Sequence, residues 1–329
     1  MFSEPIIERL EEKHEILCTS REYHEVSKLA KIRHFDLIFV GKHGGGDKKS
    51  KLKASIERMG KLSKKIKRFE PDLVISFGSP EAARISFGLG IKHIMFCDSP
   101  HANAVMKLTL PLIQKLLIPY VIPKKEFSKY GIHEKNIVQY KAIDAAVTMK
   151  RKIREDLNSP FKNNNKKNIL IRVEEEEAAY TSKSSKIIPI IQKITKDYKN
   201  ENVVVLGRYT KQINNLQKII GNKVKIVKMS FDGKFLLNKT DIFIGSGGTM
   251  TAESALMGIP TISYNAVPNI VEEFLVKKSL VKRETNPNKV SNHIKKIFET
   301  KNDQNQKRAK KIVKEMEDPI EKLIKIIKN

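Results

Sequence analysis

Short apolar runs alternating with longer amphipathic stretches constrain this chain more than any other feature. In the first half the runs fall at 15–19, 36–40, 72–77 and 93–97, with a further one at 116–121. In the second half they fall at 168–173, 202–206, 224–227, 241–244 and 261–264. Each is too short for a buried helix, and the stretches between them keep helical spacing. In 49–69, for example, Leu52, Ile56, Met59, Leu62, Ile66 and Phe69 share one face while lysines and arginines fill the other. Strands joined by helices of this length pair in parallel, so the expected fold class is α/β. A length of 329 residues exceeds what one hydrophobic core normally serves. Two doubly wound, Rossmann-like domains facing a cleft are expected.

The expected boundaries are a first domain over 1–150, a linker over 151–167, a second domain over 168–302 and a C-terminal helix over 303–329. The linker contains the polar, non-periodic run Asn158-Ser-Pro-Phe-Lys-Asn-Asn-Asn-Lys-Lys167. The terminal helix carries the stripe Ile312, Met316, Ile320, Leu323 and Ile327, and is expected to pack back toward the first domain. The start is irregular, because a helical stretch over 4–13 precedes the first strand. In a doubly wound half the first strand lies at the sheet centre. The first domain is therefore expected to lack its first strand.

Composition removes several function classes. No window has the ~18 apolar residues of a membrane span, and the N-terminus lacks the pattern of a signal peptide. Cys18 and Cys97 lie far apart, which suits reduced core thiols, and no ligand cluster has metal-site spacing. The net charge of +26 invites a nucleic-acid reading. Against it, the lysines are spread along helix faces and no nucleic-acid-binding signature is present, so that partner is disfavoured. A cytoplasmic location is expected, with peripheral contact to an anionic membrane compatible with the basic surface.

Candidate sites lie where strands end, since ligands of open α/β sheets bind at the carboxyl edge. The run 241–260 reads as strand, glycine turn and helix. Ser246, Gly247 and Gly248 admit close backbone approach, Thr249 is placed to cap the helix, and Glu253 follows about one turn later. This describes an anion or nucleotide site, against the alternative of an ordinary capped turn. Arg172 and Arg208 each follow a strand and suit phosphate oxygens, while the Glu174 to Glu177 run reads as a solvated face. In the first half, His43, Gly44 and Gly45 follow one strand, and Gly78 and Ser79 follow another and open a helix. Asp98 and His101 emerge together after a third and suit a base with its orienter. For each of these stretches a purely structural turn or cap is the alternative.

Gly41-Lys-His-Gly-Gly, Gly78-Ser-Pro-Glu-Ala, Asp98-Ser-Pro-His-Ala, Ile171-Arg172, Gly207-Arg208 with Gln212, and Gly247-Gly-Thr-Met-x-x-Glu253 occur in the order seen in the domain of unknown function 354 family. The chain resembles that family over nearly its whole length, except that such proteins look to begin one strand earlier. The family is in turn similar to glycosyltransferase-B enzymes and to UDP-N-acetylglucosamine 2-epimerases. The resemblance implies that Ser246, Gly247, Gly248 and Glu253 hold a nucleotide diphosphate and that Asp98 lies close to a catalytic carboxylate position. It also departs from the epimerases: their His-Arg-x-Glu-Asn motif is replaced here by Arg172-Val-Glu-Glu, without the histidine.

Together these features predict an enzyme of the glycosyltransferase-B type that moves a sugar from a nucleotide-sugar donor, a UDP-sugar foremost, to a glycan or lipid-linked acceptor. No bound cofactor or metal is expected. Arg172, Arg208, Ser246, Gly247, Gly248, Thr249 and Glu253 are the donor residues. Asp98, His101 and His43 are the acid–base candidates, with Gly44, Gly45, Gly78 and Ser79 on the acceptor side. The alternatives are a non-hydrolysing 2-epimerase and a basic nucleic-acid- or membrane-binding protein.

Overall fold

The structure is a computed structural model that describes residues 2–22, 24–153, 159–174, 187–221, 224–228, 231–266, 268–300 and 303–328. The described residues form two compact units, one of 2–147 with 316–328, the other of 148–174 with 187–315.

In the first unit the elements are α1 (Ser3–Leu10), β1 (Thr19–Glu22), α2 (His24–Ile32), β2 (Ile38–Lys42), α3 (Lys48–Phe69), β3 (Leu73–Phe77), α4 (Pro80–Gly88), β4 (Lys92–Phe96), α5 (Asn103–Thr109), β5 (Lys115–Pro119), α6 (Lys125–Ser128) and β6 (Ile137–Tyr140). The chain then passes through α7 (Ala145–Lys150) into the second unit. There follow β7 (Asn168–Arg172), α8 (Ile187–Asp197), β8 (Asn202–Gly207), α9 (Thr210–Ile220), β9 (Lys225–Lys228), α10 (Gly233–Asn238) and β10 (Ile242–Gly245). The unit continues with α11 (Thr249–Leu256), β11 (Thr261–Ser263), α12 (Ile270–Lys277), β12 (Lys282–Arg283), α13 (Pro287–Glu299) and α14 (Asp303–Lys314), and α15 (Pro319–Lys328) returns to the first unit.

The second unit is one six-stranded sheet in the order β12-β11-β10-β7-β8-β9, parallel throughout. Its centre explains its sequence. Ile169 and Ile171 of β7 pack with Ile190, Ile194 and Val290 on one face, and Leu170 packs with Leu236, Phe243 and Met250 on the other. A strand covered on both faces needs an unbroken apolar run rather than an alternating one. All three residues are fully buried.

The first unit is divided. β1 pairs in parallel with β2, while β3, β4, β5 and β6 form a separate parallel sheet in that order. Two buried ion groups tie its helices to one another and to β1. Arg33 holds Glu4 of α1 at 2.6 Å with both side chains buried. Glu81 of α4 accepts from Ser55 of α3 at 2.9 Å and lies 3.4 Å from both Arg21 and Arg58. Burial alone would push the Glu81 carboxyl up, yet Arg21, its own backbone N–H, Ser55 and Arg58 outweigh it and hold it below the usual carboxylate range.

The α/β class is as the sequence implies, but several elements differ. β1 begins at Thr19, so the apolar residues Ile16 to Cys18 precede the strand rather than form it. β6 and the two-residue β12 were not among the expected strands. The helix expected over 303–329 is two helices, because Pro319 forces the preceding residue out of helical geometry and then starts α15. Among the described residues no helix is long and apolar enough to cross a membrane.

Replacing Glu81 by Gln leaves the buried Arg58 without its carboxylate, and is expected to lower stability by about 3 kcal/mol in urea unfolding. Glu321→Gln, at the half-exposed Arg9 pair, is expected to cost less than about 1 kcal/mol in the same measurement.

Candidate functional site

The chain leaves β7 toward β8 and β9 on one side, then returns to build β10, β11 and β12 on the other. The strand order therefore reverses between β7 and β10, and a crevice forms outside their carboxyl ends. Ile242 and Ile244 lie opposite Ile169 and Ile171, so Gly245 comes level with Arg172, which in turn pairs with Leu206 of β8. Arg172, Gly207-Arg208 and Gly245-Ser246 thus meet at one edge.

Local chemistry holds that edge open. Gly245 has no room for a side chain, because a Cβ there would lie 2.4 Å from the Thr251 hydroxyl. Gly247 adopts φ +96°, a conformation that favours glycine. Its N–H donates to Thr251 Oγ1 at 3.2 Å and its carbonyl accepts from Asn269 Nδ2 at 2.9 Å. The N-cap of α11 is Gly248, not the Thr249 that the sequence suggested, and no side chain caps the helix. Gly248 and Thr249 are exposed and no side chain caps the first turn, so the positive dipole end of α11 lies at the carboxyl edge of β10 without a side-chain acceptor. The carboxylate of Glu253, half-buried one turn further on, makes no hydrogen bond or ion pair with the described residues.

The arginines sit in a built surround. Arg172 is buried and donates to the carbonyl of Gly207 at 3.3 Å. The N–H of Arg208 donates to Gln212 Oε1 at 2.9 Å, and Gln212 in turn donates to the carbonyl of Glu174 at 3.0 Å. The Tyr264 hydroxyl lies 2.7 Å from Glu174 Oε2 and 3.2 Å from the Arg172 carbonyl, within reach of Ser246. Burial, with the Glu174 carboxylate beside it, pushes the Tyr264 phenol well up, so it stays a donor. Glu174 is therefore a buried acceptor and not part of a solvated face. Glu175 to Glu177 lie outside the described residues. Gln212 entered the sequence reading only through the motif it shares with Gly207-Arg208, and Asn269 and Tyr264 were not among the candidates, since nothing in a lone Asn or Tyr marks it before the strand order is known.

In the first unit, Asp98 and His101 follow β4, and Asp98 accepts from its neighbour Ser99 at 2.7 Å. Tyr130 anchors this loop by donating to the Pro100 carbonyl at 3.2 Å and to Asn103. Burial lowers the His101 imidazole, with Asp98 partly opposing the shift, so its neutral form is favoured. Close by stands a group the sequence reading missed. Asp144, just after β6, accepts from the Tyr140 hydroxyl. Its carboxyl group is surrounded by protein. Burial first, and the Asp98 charge second, push its carboxyl well above the usual range. Asp98 is thus close enough to Asp144 for its charge to add to the effect of burial on the Asp144 carboxyl.

The remaining candidates are placed apart or in structural roles. Ser79 is the N-cap of α4, accepting from the N–H of Ala82 at 3.3 Å, and Gly78 lies against Val105 of α5. His43 follows β2, which belongs to a different sheet from Asp98, and accepts the N–H of Gly45 through Nδ1 at 3.2 Å. Gly44 is packed on the first turn of α3, where a Cβ would lie 2.5 Å from the Ser50 carbonyl. Among the described residues no three His, Cys, Asp or Glu side chains gather as a metal set.

Residues 1–329 match the family described as "Protein of unknown function (DUF354)". The chain belongs to the DUF354 family. A relative of this DUF354 chain is the uncharacterized protein MJ0665 of Methanocaldococcus jannaschii, 30% identical over 327 residues that span 96% of this chain and 90% of that protein. Among solved structures it is similar to the UDP-GlcNAc 2-epimerase of Neisseria meningitidis bound to UDP-GlcNAc, with TM-score 0.72 at 16% identity, covering 99% of this chain and 96% of that one. It is also similar to the glycosyltransferase SsfS6 of Streptomyces sp. SF2575 complexed with thymidine diphosphate, with TM-score 0.63 at 12% identity, covering 100% and 96%. At such identities the DUF354 chain shares with them an α/β fold of parallel sheets.

The raised Asp144 carboxyl has a sign that can be tested. A carboxyl that is neutral when folded and ionises near pH 4 when unfolded favours folding most below about pH 4. That contribution is lost as pH rises through the folded value. Asp144→Asn is expected to remove this fall, so the variant should gain stability relative to the parent between about pH 5 and pH 8 in urea unfolding.

Proposed function

We propose that this DUF354 protein is a nucleotide-sugar enzyme whose second unit holds the nucleoside diphosphate at the carboxyl edge of β7, β8 and β10. The observation that carries the reading is the uncapped N-terminus of α11, set at the strand-order reversal beside Arg172 and Arg208. Free helix amides and guanidinium groups at such a point complement a diphosphate, and Glu253 one turn away suits the paired hydroxyls of a ribose. The ligands of the two structural neighbours, UDP-GlcNAc and thymidine diphosphate, belong to the same chemical class.

The reaction we assign is sugar transfer of the glycosyltransferase-B type to a glycan or lipid-linked acceptor. Transfer needs stabilisation of the departing diphosphate and one base to activate an acceptor hydroxyl. The α11 amides with Arg208 supply the first in this reading, and Asp98 the second. The replacement of the epimerase histidine motif by Arg172-Val-Glu-Glu favours transfer over epimerisation.

A second reading, a 2-epimerase, is favoured by one observation: Asp98 lies close enough to Asp144 to act on its raised carboxyl, and proton removal and return on a sugar ring require two such groups. Incubating the protein with UDP-GlcNAc and no acceptor separates the two, since an epimerase yields the 2-epimer and a transferase does not.

Calorimetry against UDP-sugars and thymidine diphosphate tests the site itself. Glu253→Ala is expected to weaken the nucleotide by about ten- to a hundredfold, the loss of a hydrogen-bonded charge. Gly248→Ala meets no atom within 4 Å and keeps an ordinary φ of −84°, so it should leave stability unchanged while weakening the diphosphate. Unaltered affinity in both variants would remove the nucleotide from this edge.

A further inference from the structure

The core uses only half of the apolar stripe of α3. Spacing sets Leu52, Ile56, Met59, Leu62 and Ile66 on one face, and a helix of 22 residues with such a stripe is expected to bury it along its whole length. Leu62 and Ile66 are buried and pack with Val40 and Ile85, and Met59 is partly covered by the same cluster. Leu52 and Ile56 depart from that expectation, with exposures of 63% and 56%.

A polar contact sets this rotation of the helix. Arg58 turns inward, donates to the Val40 carbonyl at 3.0 Å and meets the buried Glu81, and Ser55 donates to the same carboxylate at 2.9 Å. Bringing Leu52 and Ile56 inward, about a quarter-turn round a helix of ~3.6 residues per turn, would draw Ser55 and Arg58 away from Glu81 and leave its charge buried. The ion group outweighs the apolar pair, and the pair faces outward.

Charge decides what that pair meets. α3 carries eight lysines and two arginines against one glutamate. Lys48 and Lys49 stand one turn before Leu52, and Lys53 one turn before Ile56, all three exposed. Among the described residues none of these three side chains makes an ion pair. Two aliphatic side chains bordered by unneutralised ammonium groups complement a phase that is anionic at its surface and apolar beneath it. In such a phase the aliphatic groups enter the acyl boundary while lysine stems reach headgroup phosphates. A second copy of the chain fits worse, because a two-fold contact between these faces sets lysines against lysines. Nucleic acid would engage the lysines and leave Leu52 and Ile56 in water.

We propose that the N-terminal half of α3 is a peripheral docking surface for an anionic phospholipid bilayer, with Leu52 and Ile56 at the acyl boundary and Lys48, Lys49 and Lys53 on the headgroup phosphates. Net charge by itself suits any polyanion, whereas an exposed apolar pair inside the basic patch selects lipid. Attachment needs both parts, since one weak apolar anchor holds a protein only with electrostatic support. This inference stands apart from the nucleotide reading and is tested without nucleotide.

The full chain is sedimented with vesicles of phosphatidylglycerol mixed with phosphatidylcholine, and with vesicles of phosphatidylcholine alone. Binding is expected only to the first. Leu52→Asn with Ile56→Asn, and separately Lys48→Gln, Lys49→Gln and Lys53→Gln together, should each weaken it by about tenfold or more. Thermal unfolding should stay unchanged in both variants, because all the replaced side chains are exposed. The sequence has no tryptophan, so Ile56→Trp supplies a single reporter whose emission should move to the blue on the anionic vesicles. Failure to bind the anionic vesicles overturns the proposal. Binding that the lysine set weakens and the apolar pair does not, with no blue shift, also overturns it, and tighter retention of a DNA duplex would then assign the patch to nucleic acid. A concentration-dependent dimer that the Leu52 and Ile56 substitutions abolish overturns it as well, since a second copy then covers this face.

Discussion

Everything in the second unit depends on the hydrogen-bonded ladder around β7. A strand at the centre of a parallel sheet must have a partner along each edge and a cover over each face, because any unpaired backbone group there is buried without water. β10 and β8 satisfy the edges, and the clusters around Ile190 and Leu236 satisfy the faces. Once those conditions are met, the carboxyl ends of three neighbouring strands are fixed relative to one another to within a residue. Arg172, Gly207 and Gly245 owe their meeting to that register, to which the hydrogen bond from Arg172 to the Gly207 carbonyl is added.

The buried charges have a different logic. Glu4 with Arg33, and Glu81 with Arg21 and Arg58, join helices of the first unit to one another and to β1. Such groups add little net stability over apolar replacements, yet they penalise any packing in which a partner is missing. They fix which helix faces which strand.

Much of this was legible in the sequence, and the limits have physical causes. The runs at 168–173, 202–206 and 261–264 were readable because strands buried on both faces are apolar throughout. β6 was missed because Ile137-Val-Gln-Tyr140 is short and half polar, and β12 because two residues carry no period. β1 was placed too early because Ile16 to Cys18 are the most apolar residues there, while pairing with β2 begins only beyond them. In the site, glycines and arginines announced themselves by type and position. Asp144 did not: its significance lies in burial beside Asp98 and Tyr140, which linear spacing does not encode. Thr249 suggested a cap by its identity alone, whereas the backbone at Gly248 leaves the helix end open.

The return of α15 bears on how the chain is made. The first unit is discontinuous: its final helix buries Leu323, and Glu317 exchanges hydrogen bonds with Lys141 through both its backbone and its carboxylate. A chain emerging from the ribosome N-terminus first has the whole of the second unit in hand before α15 exists. The unit that begins the sequence is therefore the last to be completed, and its partly covered surface must stay soluble throughout synthesis of the other.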